Sequence, residues 1–303
     1  MGLKQFIAKT FFDFAYAIAY RPVSPSSEKD YLKGEEASFR LLKPTLRYWY
    51  ADPLIGNVNG NEYLFMEVYD RKKHKGMIGV SSFTESGKLS TPRIILEEDF
   101  HLSFPVVFSY MGRTILMPEC SDSQSLRFYE LDEKTLTPTL IRLIPTEERI
   151  VDTVVWDIRS GQITLLGCKE DADNARKTSL VCLTLSNLES AEPEYLPLSD
   201  EYTSPSLLLR NAGPIIDTGK RKIRILQEST ETEYGHNLIF REITGSVPDF
   251  KEKDLEKVFL ENLPVSLPFG YRRQGTHTYS LGEKYEVADV SFNRFHVGNM
   301  TMK

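Results

Sequence analysis

Cysteine is scarce in this 303-residue chain. Cys120, Cys168 and Cys182 are odd in number and show no C-x-x-C spacing, so neither a disulfide framework nor a thiolate metal site is expected. A reducing compartment follows. Positive charge is also limited: 37 Lys and Arg face 43 Asp and Glu, a net charge of −6, and no long basic run occurs. That argues against a nucleic-acid partner. Apolar runs long enough to cross a membrane are missing. Met1 to Tyr20 is the one stretch resembling a targeting signal, but Lys9 and Asp13 interrupt it and no small-residue cleavage site follows. No signal peptide or membrane span is expected. Nucleophile elbows, P-loops and dinucleotide fingerprints are absent. With no His-x-x-x-His pair, no metal and no organic cofactor are expected.

Helical periodicity is sparse as well. Phe6, Ile7, Phe11, Phe12 and Phe14 beside Lys4 and Lys9 suggest a short N-terminal helix over residues 1–14, packed on the domain, with an interfacial membrane contact as the alternative. Asp249 to Leu260 carries i, i+4 charge pairs and an apolar stripe, and reads as a second short helix.

What the sequence has in quantity is aromatic residues, 17 Phe and 15 Tyr, in strand-like runs. The richest is Tyr48-Trp49-Tyr-Ala-Asp52-Pro53, an apolar run, Asn59-Gly60, then Tyr63-Leu-Phe-Met-Glu67. Asn-Gly between apolar runs is a strong hairpin signal, because a type I′ turn needs positive φ at both central residues. Similar units surround Gly112, Gly161, Gly219 and Gly282, roughly fifty to sixty residues apart, each with further strand-like runs. Glu67, Glu119, Cys168 and Asp289 each stand seven residues after their turn glycine, and Gln227 stands eight. Four strands per repeat and five repeats predict an all-β, five-bladed β-propeller forming a single domain over 1–303. The alternative is a two-sheet sandwich.

In a propeller the innermost strands converge on one funnel, so the repeated positions become neighbours. Asp52, Ser103, Asp152 and His277 begin such strands, and Glu67, Glu119, Gln227 and Asp289 close them. Glycosidic chemistry needs a protonated and an ionised carboxyl across the reacting bond; glycosyl transfer needs a base for the acceptor hydroxyl. Each residue also has a plain structural reading: an Asp before Pro bonds nearby backbone, and a lone strand His is often only hydrogen-bonded.

Trp49-Tyr-Ala-Asp52-Pro53, Lys75-Gly-Met-Ile-Gly-Val80, Glu97-Glu-Asp-Phe-His101-Leu-Ser103-Phe-Pro105 and Met117-Pro-Glu119 resemble the N-terminal domain of glucosamine inositolphosphorylceramide transferase and its bacterial stand-alone relatives. Arg224-Ile-Leu-Gln227, Tyr234-Gly235 and Gly275-Thr-His277-Thr continue the likeness, which runs from the Ala15–Arg21 strand to Asp289. That family looks like a five-bladed propeller similar to furanosidase and fructosidase glycoside hydrolases. In the plant proteins a C-terminal glycosyltransferase domain follows; none is expected in this chain.

The resemblance implies Asp52 as base or nucleophile, Glu119 as its acid and Asp152 as the orienting aspartate. Trp49, His101, Ser103, Arg224, Gln227, Tyr234, Arg272 and His277 are the expected substrate contacts. Arg272-Arg273 read as a clamp for a diphosphate or sugar carboxylate, or as a solvated turn. The expected function is a glycosyltransferase-like protein of cell-surface glycan or glycolipid biosynthesis. A sugar nucleotide and a glycan or glycolipid acceptor would be its partners, in the cytoplasm or at the inner face of the membrane. The alternatives are a glycoside hydrolase or phosphorylase, and a non-catalytic sugar-binding module beside a separate transferase.

Overall fold

A computed structural model describes residues 12–23, 38–190, 192–258 and 265–295. Two N-terminal strands, β1 (Phe12–Pro22) and β2 (Arg40–Leu42), belong to the last blade. Blade one is β3 (Tyr48–Val58), β4 (Asn61–Asp70), β5 (Lys75–Ser82) and β6 (Arg93–Leu96). Blade two is β7 (Ser103–Tyr110), β8 (Arg113–Glu119), β9 (Ser125–Leu131) and β10 (Pro138–Pro145). Blade three is β11 (Ile150–Arg159), β12 (Gln162–Glu170), β13 (Thr178–Leu185) and β14 (Glu194–Leu196). Blade four is β15 (Ile216–Asp217), β16 (Lys222–Glu228), β17 (Asn237–Thr244) and β18 (Lys251–Val258).

The fifth blade closes the ring. It holds β19 (Tyr271–Gly275), β20 (Tyr279–Leu281) and β21 (Tyr285–Phe295), and β21 pairs along its whole length with β1, from Phe12 opposite Phe295 to Pro22 opposite Tyr285. Every pairing between named strands is antiparallel, as meandering blades require. Gly60, Gly112, Gly161, Gly219 and Gly282 occupy the same turn in their blades, after the innermost strand. The expected five-bladed propeller is the observed fold.

The expected helices are corrected. Phe12 to Phe14 open strand β1, and residues 1–11 lie outside the described residues. Lys251–Val258 is β18, an outer strand on β17, while residues 259 and 260 are outside the described set. Its charges answer partners across the sheet rather than along a helix: Arg241 Nε lies 2.6 Å from Asp254 Oδ1, and Arg224 Nη1 lies 2.8 Å from Glu252 Oε1. Alternating charge suits a sheet edge, where it discourages pairing with another chain. Among the described residues only Asp200–Thr203 is α-helical.

Apolar packing lies between blades. One cluster joins Leu54 of blade one to Phe104 and Phe128 of blade two, Trp156 and Leu166 of blade three, and Phe250 beside blade four. The three cysteines are free and buried within such layers.

Innermost strands of blades one to three share an irregularity that sequence alone did not show. Ala51 faces Glu67 and Leu54 faces Phe65; Ser103 faces Glu119 and Val106 faces Met117; Val151 faces Cys168 and Val154 faces Leu166. At that position each strand therefore carries one residue more than its partner, a β-bulge, and there Asp52, Phe104 and Asp152 take φ of 47°, 42° and 46°. Left-handed backbone at a non-glycine residue costs roughly 1 kcal/mol each. The return is a side chain turned out of the pleat.

A carboxylate cluster where the blades converge

Asp52 and Asp152, at two of the bulges, reach across to neighbouring blades. Asp52 Oδ2 accepts the Phe104 N–H of blade two at 3.3 Å, and its Oδ1 accepts the Thr278 hydroxyl of blade five at 2.8 Å. His277 Nε2 stands 3.4 Å from the same Oδ1. Asp152 pairs with Arg210, which leads into blade four, and its N–H donates to Glu119 Oε2 of blade two at 2.9 Å. These bonds join all five blades, so the expected catalytic trio, Asp52, Glu119 and Asp152, sits in one cluster.

Three residues complete it that were not among the expected site residues. Glu67 faces Ala51 across β3 and β4, is 4% exposed, and has His101 Nε2 at 3.3 Å from its Oε1. Asp289 lies beneath His277, with Oδ2 at 2.5 Å from Nδ1 and Oδ1 accepting the His277 and Thr278 N–H groups at 2.8 and 3.2 Å. Arg210 holds both Asp152 and Glu170 Oε1, the latter at 3.0 Å. Glu67 and Asp289 were signalled by their seven-residue offset from the turn glycine. Arg210 stands in a stretch with no such repeat.

Five carboxyl groups thus crowd around two cations. Burial pushes the Glu67 carboxyl well above its ordinary range, and the charges of Asp52, Glu119 and Asp289 push it further. Burial also raises Asp52, against the pull of the His277 imidazolium. For Asp152 burial works upward and Arg210 downward. Burial disfavours the His277 cation, but Asp289 outweighs it and lifts the imidazole to about 9. The site therefore holds a carboxylic acid beside ionised groups in a space nearly closed to water.

His101 has a fixed tautomer. Its Nδ1 accepts the Gly76 N–H at 3.0 Å, so its proton sits on Nε2, toward Glu67. Ser103 is buried opposite Glu119. Gln227 is buried and donates to Ser229 Oγ at 3.0 Å. Trp49 stacks on Tyr69, with ring centroids 4.4 Å apart and 10° between planes, and touches Tyr16, whose ring lies 4.8 Å from His277. Tyr234 is 40% exposed; its edge meets His277 at 5.5 Å and its face carries the Arg210 guanidinium at 5.1 Å. Trp49, Tyr69, His101, Glu119 and Tyr234 form the accessible rim; Asp52, Glu67, Asp152 and Asp289 form the buried floor.

Two expected contacts lie elsewhere. Arg224 is fully buried and bonded to Asn211 Oδ1, Leu209 O and Glu252, and Asn211 in turn donates to the Asp152 carbonyl at 2.8 Å. It braces the site from behind. Arg272 is exposed on β19 opposite Asn293.

Ligand atoms of Asp52, His277 and Asp289 come within 4.8 Å of one another, the one such group among the described residues. The imidazolium itself supplies positive charge there, so a metal would have to displace its proton. Asp171 and Asp173 form a D-x-D pair, but Asp171 Oδ1 accepts the Asp173 and Asn174 N–H groups at 3.1 and 3.0 Å and caps its own turn. A cavity of about 580 Å³ lies between Pro145–Ile150 and Ser179–Val181, away from the cluster.

Residues 45–267 match the family model described as glucosamine inositolphosphorylceramide transferase 1, N-terminal. The protein of that name from Oryza sativa subsp. japonica is 28% identical over 246 residues, 79% of this chain and 31% of the rice one. Its Arabidopsis thaliana namesake is 30% identical over 128 residues, 42% of this chain and 16% of its own. The chain thus spans less than a third of the length of these relatives.

Among solved structures, a family 117 glycoside hydrolase from Zobellia galactanivorans superposes with a TM-score of 0.53 at 12% identity, covering 95% of this chain and 92% of its own. An α-L-arabinofuranosidase from Lactobacillus brevis gives 0.52 at 15% identity over 78% and 80%. At such identities the likeness is one of fold. By its family match over most of its length, the chain belongs to the family of the N-terminal region of glucosamine inositolphosphorylceramide transferase 1.

Proposed function

We propose that this propeller handles carbohydrate in the assembly of a cell-surface glycan or glycolipid, on the cytoplasmic side of the membrane, with a sugar nucleotide as donor. The observation that carries the reading is the meeting of Asp52, Glu119 and Asp152, from three blades, beside a buried acid at Glu67 and under the Trp49 and Tyr69 rings. Carboxylates accept hydroxyl protons, and aromatic faces cover the apolar face of a sugar. Acid excess repels a diphosphate, so the funnel takes the acceptor and the donor's phosphates stay outside it. Asp52 then removes the acceptor's hydroxyl proton as its oxygen attacks the anomeric carbon and the bond to phosphate breaks.

The test is Asp52→Asn, assayed with sugar nucleotides and a glycan acceptor. The amide keeps an oxygen for the Phe104 N–H, but its NH2 faces an imidazolium, at a stability cost of about 1–3 kcal/mol. The variant is expected to fold and bind acceptor while transfer falls by about two to four powers of ten. Unchanged transfer would remove Asp52 as base. A second reading, a binding module, is favoured by the number of bonds that Asp52 and Asp289 already make within the protein. It predicts acceptor binding with no transfer from any donor, and loss of binding in Trp49→Ala.

A further inference from the structure

One end of the propeller carries the glycine turns; the other carries the rim of the cluster. On that second end, near blades five and one, three apolar side chains project from separate segments. Leu46 is 78% exposed, Phe14 is 47% exposed, and Phe269 is fully exposed at the tip of a turn closed by the Tyr271 N–H on Pro268 O at 3.1 Å. They share one neighbourhood. The Arg71 N–H donates to Arg47 O at 3.0 Å, beside Leu46, and Arg71 Nη1 lies 2.5 Å from Asp13 Oδ1, beside Phe14. Phe14, Asn293 and Arg272 form one row across β1, β21 and β19.

The same end is basic, in a protein of net charge −6. The turn from β4 to β5 reads Arg71-Lys72-Lys73-His74, and Lys75 opens β5; Arg47 O accepts the Arg71 N–H, and Arg272 stands in the row of Phe14, next to Asp13, which pairs with Arg71. Asp13 and Asp70 are each paired with one of these cations and Glu97 with two, Lys73 and Lys75, and the cations outnumber these three acids. Apolar prongs ringed by cations fit the interface of an anionic bilayer, where the prongs enter the acyl boundary and the cations meet lipid phosphates. The patch is continuous with the funnel: the Phe14 ring lies 5.2 Å from Tyr16, which packs on His277.

We propose that this end of the ring seats on an anionic membrane surface, with the funnel mouth beside the bilayer, so that a lipid-borne headgroup reaches Trp49 and the carboxylate floor. Only the delivery of a headgroup rests on the carbohydrate reading; the seat stands on its own.

Vesicle co-sedimentation tests it, with phosphatidylcholine alone and with phosphatidylcholine containing phosphatidylserine. The protein is expected to bind the mixed vesicles, more weakly as salt rises. Leu46→Ser/Phe269→Ser should lower partitioning more than tenfold. Lys72→Gln/Lys73→Gln should lower it about thirtyfold on the anionic vesicles. Met111→Ser, which removes an exposed apolar side chain at the far end, should change nothing. No binding to either vesicle overturns the seat, as does a dimer in sedimentation velocity that Leu46→Ser/Phe269→Ser dissociates. Glycan binding or transfer with a water-soluble acceptor, measured on the same variants, should be unaffected; its absence in the wild type overturns the carbohydrate reading and leaves the seat standing.

Discussion

His277 is held between two carboxylates, Asp289 at 2.5 Å and Asp52 at 3.4 Å, and its imidazole is raised from 6.5 to about 9. A folded-state value above the unfolded one means stability that is full below pH 6.5 and lost as pH rises through 9. The contribution is on the order of 2–4 kcal/mol. Glu67, also raised, acts in the same direction from its lower range. Thermal unfolding should therefore occur at lower temperature at pH 9.5 than at pH 6, and His277→Gln should flatten that slope. A wild-type melting temperature that holds constant over this range would show that the imidazole does not titrate with folding. Sequence placed Asp52, Asp152 and His277 together because each begins the innermost strand of a repeated unit, and Glu119 because it stands seven residues after its turn glycine. It was silent on Arg210, whose position depends on the irregular approach to blade four.

At the scale of elements, turns were more legible than edges. Four of the five glycine turns were readable because positive φ, which Gly60, Gly112, Gly161 and Gly219 adopt, restricts residue choice; Gly282 is kept small instead by the close approach of Glu62. Lys251–Val258 was misread because charges four apart along a helix are also, at alternate positions of a strand, set against the neighbouring strand. The two assignments differ in what each charge does. Glu252, with 3% of its side chain exposed, meets the fully buried Arg224, whereas Lys253 is exposed on the outer edge. Glu252→Ala should destabilise by about 3–5 kcal/mol, since it leaves a buried guanidinium without its carboxylate. Lys253→Ala should stay within about 0.5 kcal/mol. Equal effects in urea unfolding would contradict the strand pairing. The bulges at Asp52, Phe104 and Asp152 were not legible either, because nothing local requires left-handed backbone at these residues; the ladder on either side imposes it.

For the whole molecule, the ring is held shut by pairing of β1 with β21. Removing residues 1–22 would expose one edge of β21 and strip Tyr16 from the cluster, so the truncated chain should lose its cooperative melting transition, followed by far-ultraviolet circular dichroism. A native-like transition in that chain would mean the blades hold without closure. The closure also orders events in time. Arg21 and Glu286, bonded at 2.5 Å, stand 265 positions apart in the chain. At a synthesis rate of roughly 5–20 residues per second, the first strand waits on the order of ten to fifty seconds for its mate to leave the ribosome. Through that interval the edge of β1 that will meet β21 is an unclaimed template for any passing strand. Slowing elongation should lengthen that wait and raise the fraction of the chain lost to aggregates, read as the ratio of pelleted to soluble protein.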